Sequence, residues 1–246
     1  MLTFSGKTVL VTGGTGDLGQ ALLRRLRAGG LRVAFTYHRQ ESLAGKLEKA
    51  FGAEETWALP WHSPRLAEAQ QLVKTIQARW GEIHYLVNNA GVIRDRALAN
   101  MDEEEWNDVL QTNLTAVFAV TRACIFNLLK RPGNAMVNIS SVAALTGASG
   151  QSNYAAAKAG LLGFTRSLAR EYGRLGLRVN ALAPGYVASR MTDRLSETVK
   201  ARALKLIPLQ RFALPQEVAA AAAFLLSDQA GYIQGQVLAV DGGLSI

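Results

Sequence analysis

The chain has 246 residues, 49% of them hydrophobic, and a net charge of +8 from 27 Lys and Arg against 19 Asp and Glu. That is enough apolar material for one large α/β domain, and no Pro/Gly/Ser-rich linker divides it. A lone Cys124 in an apolar run excludes an internal disulfide and fits a reducing cytoplasm, while no apolar stretch has the length to span a bilayer and no charged-then-apolar leader follows Met1.

Lys7 to Val11 is a short β-branched run that predicts a buried strand, and it leads directly into TGGTGDLG, Thr12 to Gly19. The helical spacing of QALLRRLRAGG follows and stops at two glycines. Strand, glycine turn and helix make a nucleotide-binding βα unit, because glycines admit a pyrophosphate to the backbone and the helix N-terminus offers amide donors. Leu31 to Arg39 predicts the second strand. It ends in Thr36, Tyr37, His38 and Arg39 with no acid before Glu41, so a ribose 2′-phosphate is accepted there and NADP(H) is preferred over NAD.

SPRLAEAQQLVKTIQARWG is amphipathic, with Ser63 as a cap and Pro64 in the first turn. IHYLVNNAG is a strand that ends in Asn88, Asn89, Ala90 and Gly91, small residues suited to lying flat against a ligand. A helix of roughly Asp102 to Lys130 follows, acidic in its first turn and basic at its end as the helix dipole favours, with Asn113 well inside it. AMVNISS is another buried strand, delivering Ser140 and Ser141 to the edge where open parallel sheets bind ligands.

The helix from about Ser152 to Tyr172 carries two messages. Tyr154 and Lys158 stand at i and i+4, on one face, so an ammonium beside the phenol is expected to favour the phenolate and bring the tyrosine into range for proton transfer near neutral pH. Ala156, Gly160, Gly163 and Ser167 form a stripe of small side chains, and two interior glycines predict a close helix–helix contact, between subunits, as their compensation. LRVNALAPG is a further strand ending at Pro184 and Gly185. Residues 186–212 are basic and weakly periodic and predict a lid. PQEVAAAAAFLLS is helical from Pro215, and GQVLAVDGG closes the sheet. From Arg122 to Arg211 fourteen Lys and Arg stand against three acids, an excess of eleven that suits an acidic protein, nucleic acid or an anionic membrane, or plain solvated helix faces.

Strands alternating with helices imply a Rossmann-type doubly wound parallel sheet in a single domain over residues 1–246. TGGTGDLG, NNAG, Asn113, Ser141, YAAAK and APG together resemble the short-chain dehydrogenase/reductase family across the whole chain. RDRAL, EEWNDVLQTNL, GQSNYAAAKAGLLGFTRSLARE and GQVLAVDGG look most like its 3-oxoacyl-(acyl carrier protein) reductases and polyketide ketoreductases.

The resemblance implies NADPH-dependent reduction of a 3-oxoacyl thioester. Tyr154 is the proton donor, Lys158 holds the nicotinamide ribose and depresses the tyrosine pKa, Ser141 orients the carbonyl, and Asn113 holds a water that links Lys158 to solvent. Gly13, Thr15, Gly16, Leu18 and Gly19 would line the pyrophosphate turn, with His38 and Arg39 at the 2′-phosphate. Asn89, Ala90 and Gly91 would flank the adenosine ribose, and Pro184, Gly185, Val187 and Ser189 the nicotinamide. No residue is assigned to a metal. The basic excess becomes a docking surface for an acidic acyl carrier protein at Lys130, Arg131 and Arg174, with Arg178, Arg190 and Arg194 as further candidates, in place of nucleic acid or membrane. A homo-oligomer, tetramer or dimer, is implied.

Three positions depart from the family pattern: Asp17 where glycine is commonest, Pro60 where an acid usually contacts adenine, and Arg190 where an acid is common. Two other readings remain: oxidoreduction of a small free ketone or alcohol, and a catalytically silent nucleotide sensor or nucleic-acid binder.

Overall fold

The structure is a computed structural model that describes residues 2–61, 64–193 and 196–246. The four strands β1 (Thr8–Val11), β2 (Arg32–Tyr37), β3 (Thr56–Pro60) and β4 (Tyr85–Asn88) alternate with helices α1 (Asp17–Ala28), α2 (Glu41–Ala50) and α3 (Leu66–Trp80). Helices α4 (Glu103–Leu110) and α5 (Ala116–Leu128) then lead to β5 (Ala135–Ile139). The second half runs through α6 (Ala143–Thr146), α7 (Ser152–Tyr172), β6 (Arg178–Pro184), α8 (Arg190–Asp193), α9 (Glu197–Leu206), α10 (Pro215–Leu226) and β7 (Val237–Val240).

All seven strands pair in parallel in the order β3-β2-β1-β4-β5-β6-β7. This is the doubly wound sheet expected from the sequence, and the strand order reverses between β1 and β4, where such sheets bind ligands. Period-two alternation explains why the central strands are apolar throughout. Val9, Val11, Phe35, Tyr85 and Val137 face a core with α1 and α10, while Leu10, Ala34, Leu86 and Met136 face the other with α3 and α5.

Several element ends follow their predicted chemistry. Asp102 closes a capping box on α4: its carboxylate accepts from the Glu105 N–H at 2.7 Å, and Glu105 accepts from the Asp102 N–H at 3.3 Å. Helix α1 stops at Gly29, with Gly30 at φ 82°. Ser63 lies outside the described residues, and α3 starts at Leu66 behind an extended Arg65.

The single helix expected from Asp102 to Lys130 is interrupted by a π turn at Gln111–Thr115. The expectation that nothing here is long and apolar enough for a bilayer needs correction. Glu103–Leu128 meets that criterion by length and composition, and it is a core helix with half of its apolar window buried in the fold.

Candidate active site

The glycine turn after β1 is braced from two sides. Gly13 N–H donates to Thr36 Oγ1 at 3.1 Å and Gly14 N–H to the Thr36 carbonyl at 2.8 Å, so the end of β2 is fixed beside the turn and exposed His38 and Arg39 lie just beyond it. From the other side, Thr12 Oγ1 accepts from the Asn89 and Ala90 N–H groups at 2.9 and 3.0 Å, and Asn89 Nδ2 donates to the Thr12 and Gly13 carbonyls. Gly13 has φ 70°, and a Cβ there would sit 2.9 Å from Ala90 Cα. The backbone therefore forms a flat cradle that side chains would fill, at the N-terminus of α1, and this fits a dinucleotide pyrophosphate. Thr12, the residue that ties the cradle together, escaped the sequence reading. The only hint of it was its place before the first glycine.

Asn113 sits inside the π turn and is fully buried. Its Oδ1 accepts from the Val92 N–H and its Nδ2 donates to the Val92 carbonyl, both at 2.8 Å. The widened turn thus projects one amide sideways to pin the loop after β4. A Cβ on Gly91 would lie 3.0 Å from Asn113 Oδ1 and 3.5 Å from Lys158 Nζ, so Gly91, Asn113 and Lys158 enclose one small volume.

The end of β5 is bolted to α7. Ser140 Oγ donates to the Lys158 carbonyl at 2.8 Å, and Lys158 Nζ donates to the Ile139 carbonyl at 2.8 Å. Ser141 accepts from the Ala143 N–H at 3.2 Å and is hydrogen-bonded to the Tyr154 hydroxyl. Asn153 holds the first turn of α7 in place: its Nδ2 donates to the Arg94 carbonyl at 3.1 Å and to the Glu105 carbonyl at 3.2 Å. Asn113, Ser141, Tyr154 and Lys158 therefore converge from three separate elements.

The electrostatics differ from expectation. Burial dominates at Tyr154 and pushes its pKa up, the hydrogen bond from Ser141 pulls the other way, and the Asp95 carboxylate adds to the rise. Lys158 is not among the groups that set the direction of this shift. Its ammonium points to the Ile139 carbonyl, 5.7 Å from the Tyr154 ring centroid, and its own burial brings its pKa down to about 8. Desolvation outweighs the pairing, so the phenol is held protonated, the form that can donate a proton.

Pro184 and Gly185 close the site from β6: the Pro184 carbonyl accepts from the Val142 N–H at 2.8 Å, and Gly185 N–H donates to Val240 at 3.1 Å. Val187 bridges to Ala213, and Ser189 N–H donates to Thr192 Oγ1 at 2.9 Å, so the segment after β6 starts as an ordered turn. Thr15, Gly16, Leu18 and Gly19 complete the first turn around the cradle, and Thr15 and Gly19 are buried.

The basic residues fall elsewhere. Lys130 and Arg131 precede β5 and pair with Glu82 at 3.7 and 2.9 Å, on the sheet edge opposite Ser141. Arg174 lies beyond the far end of α7, roughly 30 Å along the helix axis from Tyr154 at ~1.5 Å per residue. Arg178 is no docking residue: its guanidinium is buried and donates to the Leu225, Leu226 and Ser227 carbonyls at 2.6, 3.0 and 2.9 Å. Arg194 lies outside the described residues. Cys124 is the buried thiol expected, its pKa pushed up to about 12 by desolvation.

A family profile described as "Enoyl-(Acyl carrier protein) reductase" matches residues 15–245. The chain is 40% identical over 243 residues to the 3-oxoacyl-[acyl-carrier-protein] reductase FabG of Salmonella typhimurium, covering 99% of each. It is 41% identical over 243 residues to the protein of that name from Escherichia coli K12, again covering 99% of each. Among solved structures, a short-chain dehydrogenase/reductase of Brucella melitensis titled glucose/ribitol dehydrogenase superposes with a TM-score of 0.94 at 27% identity, over 100% of this chain and 99% of that one.

Proposed function

This chain belongs to the short-chain dehydrogenase/reductase family, whose chemistry is nicotinamide-dependent oxidoreduction, and we propose that it reduces 3-oxoacyl thioesters on an acidic carrier protein with NADPH. The observation that carries this reading is the convergence of Tyr154, Ser141, Lys158 and Asn113 beside a glycine-lined cradle. When bound, the dihydronicotinamide supplies hydride to the carbonyl carbon. Tyr154 gives its phenolic proton to the carbonyl oxygen, and the two transfers together make the 3-hydroxyl. The Ser141 hydroxyl holds that oxygen in line and stabilises the charge that grows on it. Lys158, whose Nζ lies beside Gly91 at the edge of the cradle, would orient the ribose. The Asn113 side chain is committed to Val92, so a proton path through this residue runs by its main chain, which the π turn displaces from ordinary i+4 pairing. His38 and Arg39, with no acid beside them, favour the 2′-phosphate of NADPH.

Lys130, Arg131 and Arg174 stand too far from Tyr154 to receive a carrier for their own chain's site. They serve as a docking surface in a homo-oligomer that brings the far end of α7 in one subunit near the mouth of another. Within one chain, Gly160 already has its close neighbour, since a Cβ there would meet Leu114 at 3.0 Å, whereas Gly163 faces open space. Phe118 and Phe126 on α5 are 50% and 68% exposed, which suits the same assembly.

The test compares one 3-oxoacyl chain on a carrier protein and on a small free thiol, with NADPH and with NADH, at low and high salt. The carrier-bound substrate should turn over faster with NADPH, and its advantage should shrink as salt rises. Equal, salt-insensitive rates would rule out carrier docking. Absence of nicotinamide oxidation with every 3-oxoacyl substrate would rule out the catalytic reading.

A further inference from the structure

Asp17 opens α1 and puts a carboxylate at the turn whose amides suit a diphosphate, where an uncompensated acid opposes anion binding. Both of its oxygens are taken by one lid residue. Oδ2 accepts from the Arg190 main-chain N–H at 2.9 Å, and Oδ1 accepts from Arg190 Nε at 3.1 Å. The NH2 group of Arg190 donates to the Thr15 carbonyl at 3.3 Å. Two positions that each depart from the family pattern, far apart in the chain, thus compensate one another.

The arrangement leaves a guanidinium standing against the turn rather than in open solvent. The Arg190 backbone is fixed as well: Ser189 N–H donates to Thr192 Oγ1 at 2.9 Å, and Thr192 Oγ1 donates to the Val187 carbonyl at 3.0 Å. The contacts to Asp17 and Thr15 engage the Nε side of the guanidinium fork, and the side chain remains 55% exposed. A guanidinium has N–H donors on all three nitrogens in a planar fork that matches phosphate oxygens, so the remaining edge is open to a second acceptor. Asp17 has neutralised its own charge on Arg190 and keeps the fork from swinging away.

We propose that Arg190 is a diphosphate ligand carried on the lid, with Asp17 as the positioning residue that holds its guanidinium over the glycine turn. The inference rests on reading that turn as the dinucleotide's phosphate site. It makes lid position and diphosphate binding one linked event, since the same side chain belongs to both.

The test titrates the full-length protein with ADP-ribose, which has the diphosphate but neither nicotinamide nor 2′-phosphate, and with adenosine, which lacks all three. Calorimetry follows ADP-ribose, and ligand-observed NMR follows adenosine. Arg190→Ala should weaken ADP-ribose about tenfold, flatten the salt dependence of its binding and leave adenosine unchanged. Arg190→Lys should recover part of the loss as a point charge without the fork. Asp17→Asn should shrink the effect of Arg190→Ala in the double variant, because the guanidinium is then no longer aimed. Wild-type affinity for ADP-ribose in Arg190→Ala would overturn the proposal and leave a strap only, as would equal loss of ADP-ribose and adenosine. Failure of the wild-type protein to bind ADP-ribose at all would overturn the dinucleotide reading, and this inference with it.

Discussion

At Lys158 the ammonium is charged at neutral pH only against the cost of its own burial. Its folded pKa is about 8 against an ordinary 10.5, so between those values the unfolded chain binds more protons than the folded one. Stability from this group therefore rises with pH across that window, by up to about 1.4 kcal/mol per pH unit. Lys158→Met should gain on wild type most at pH 7, and the difference should shrink from pH 8 to 10. Denaturant unfolding at three pH values checks it, and a pH-independent difference would show that the site is not strained by this charge. Tyr154→Phe removes the proton donor but not the cradle, so kcat should fall about 10³-fold while NADPH still binds. Turnover near the wild-type rate would remove Tyr154 from the mechanism. The i, i+4 spacing made Tyr154 and Lys158 legible as neighbours, but it could not show where the ammonium points. The Ile139 carbonyl, a main-chain group on another element, decides that.

At the scale of elements, the central strands β1, β4, β5 and β6 were the most legible because they are buried on both faces and read as unbroken apolar runs. Helix α2 was not: ESLAGKLEKA has Gly45 in its interior and little else to set it apart from a polar loop. The π turn was equally hidden. An Asn within an apolar helix is ordinarily a solvated or back-bonded residue, and only the position of Val92, twenty-one residues earlier, gives this one a purpose. Asn113→Ala would remove both hydrogen bonds to the half-buried Val92 backbone, at about 0.5–1.5 kcal/mol each. The melting temperature should fall, and kcat should fall about 10²-fold as the loop after β4 loses its anchor. Full activity with an unchanged melting temperature would make the π turn incidental. Asp17 and Arg190 were each visible as departures from a family pattern. Their pairing was not, because no local rule joins residues 173 apart.

At the scale of the whole molecule, Gly163 separates folding from assembly. A Cβ there meets nothing within its own chain, so Gly163→Phe should leave circular dichroism and melting of the isolated chain intact. If the small-residue face packs against a second copy, the variant elutes as a smaller species in size-exclusion chromatography with light scattering, and carrier-dependent turnover drops with it. An unchanged mass would move the subunit contact elsewhere. The segment between β6 and α10 has a different relation to the rest. Its two ends meet at a single neck, where Ala188 N–H donates to the Ala213 carbonyl at 2.8 Å, Ala213 N–H donates to Tyr186 at 2.9 Å, and the Tyr186 and Phe212 rings stack at 5.3 Å. Among the described residues, no strand of the sheet lies between those points. The span from Val187 to Phe212 thus leaves and rejoins the body of the fold at one place, so an insertion or deletion in its middle would leave the register of β6 against β7 unchanged.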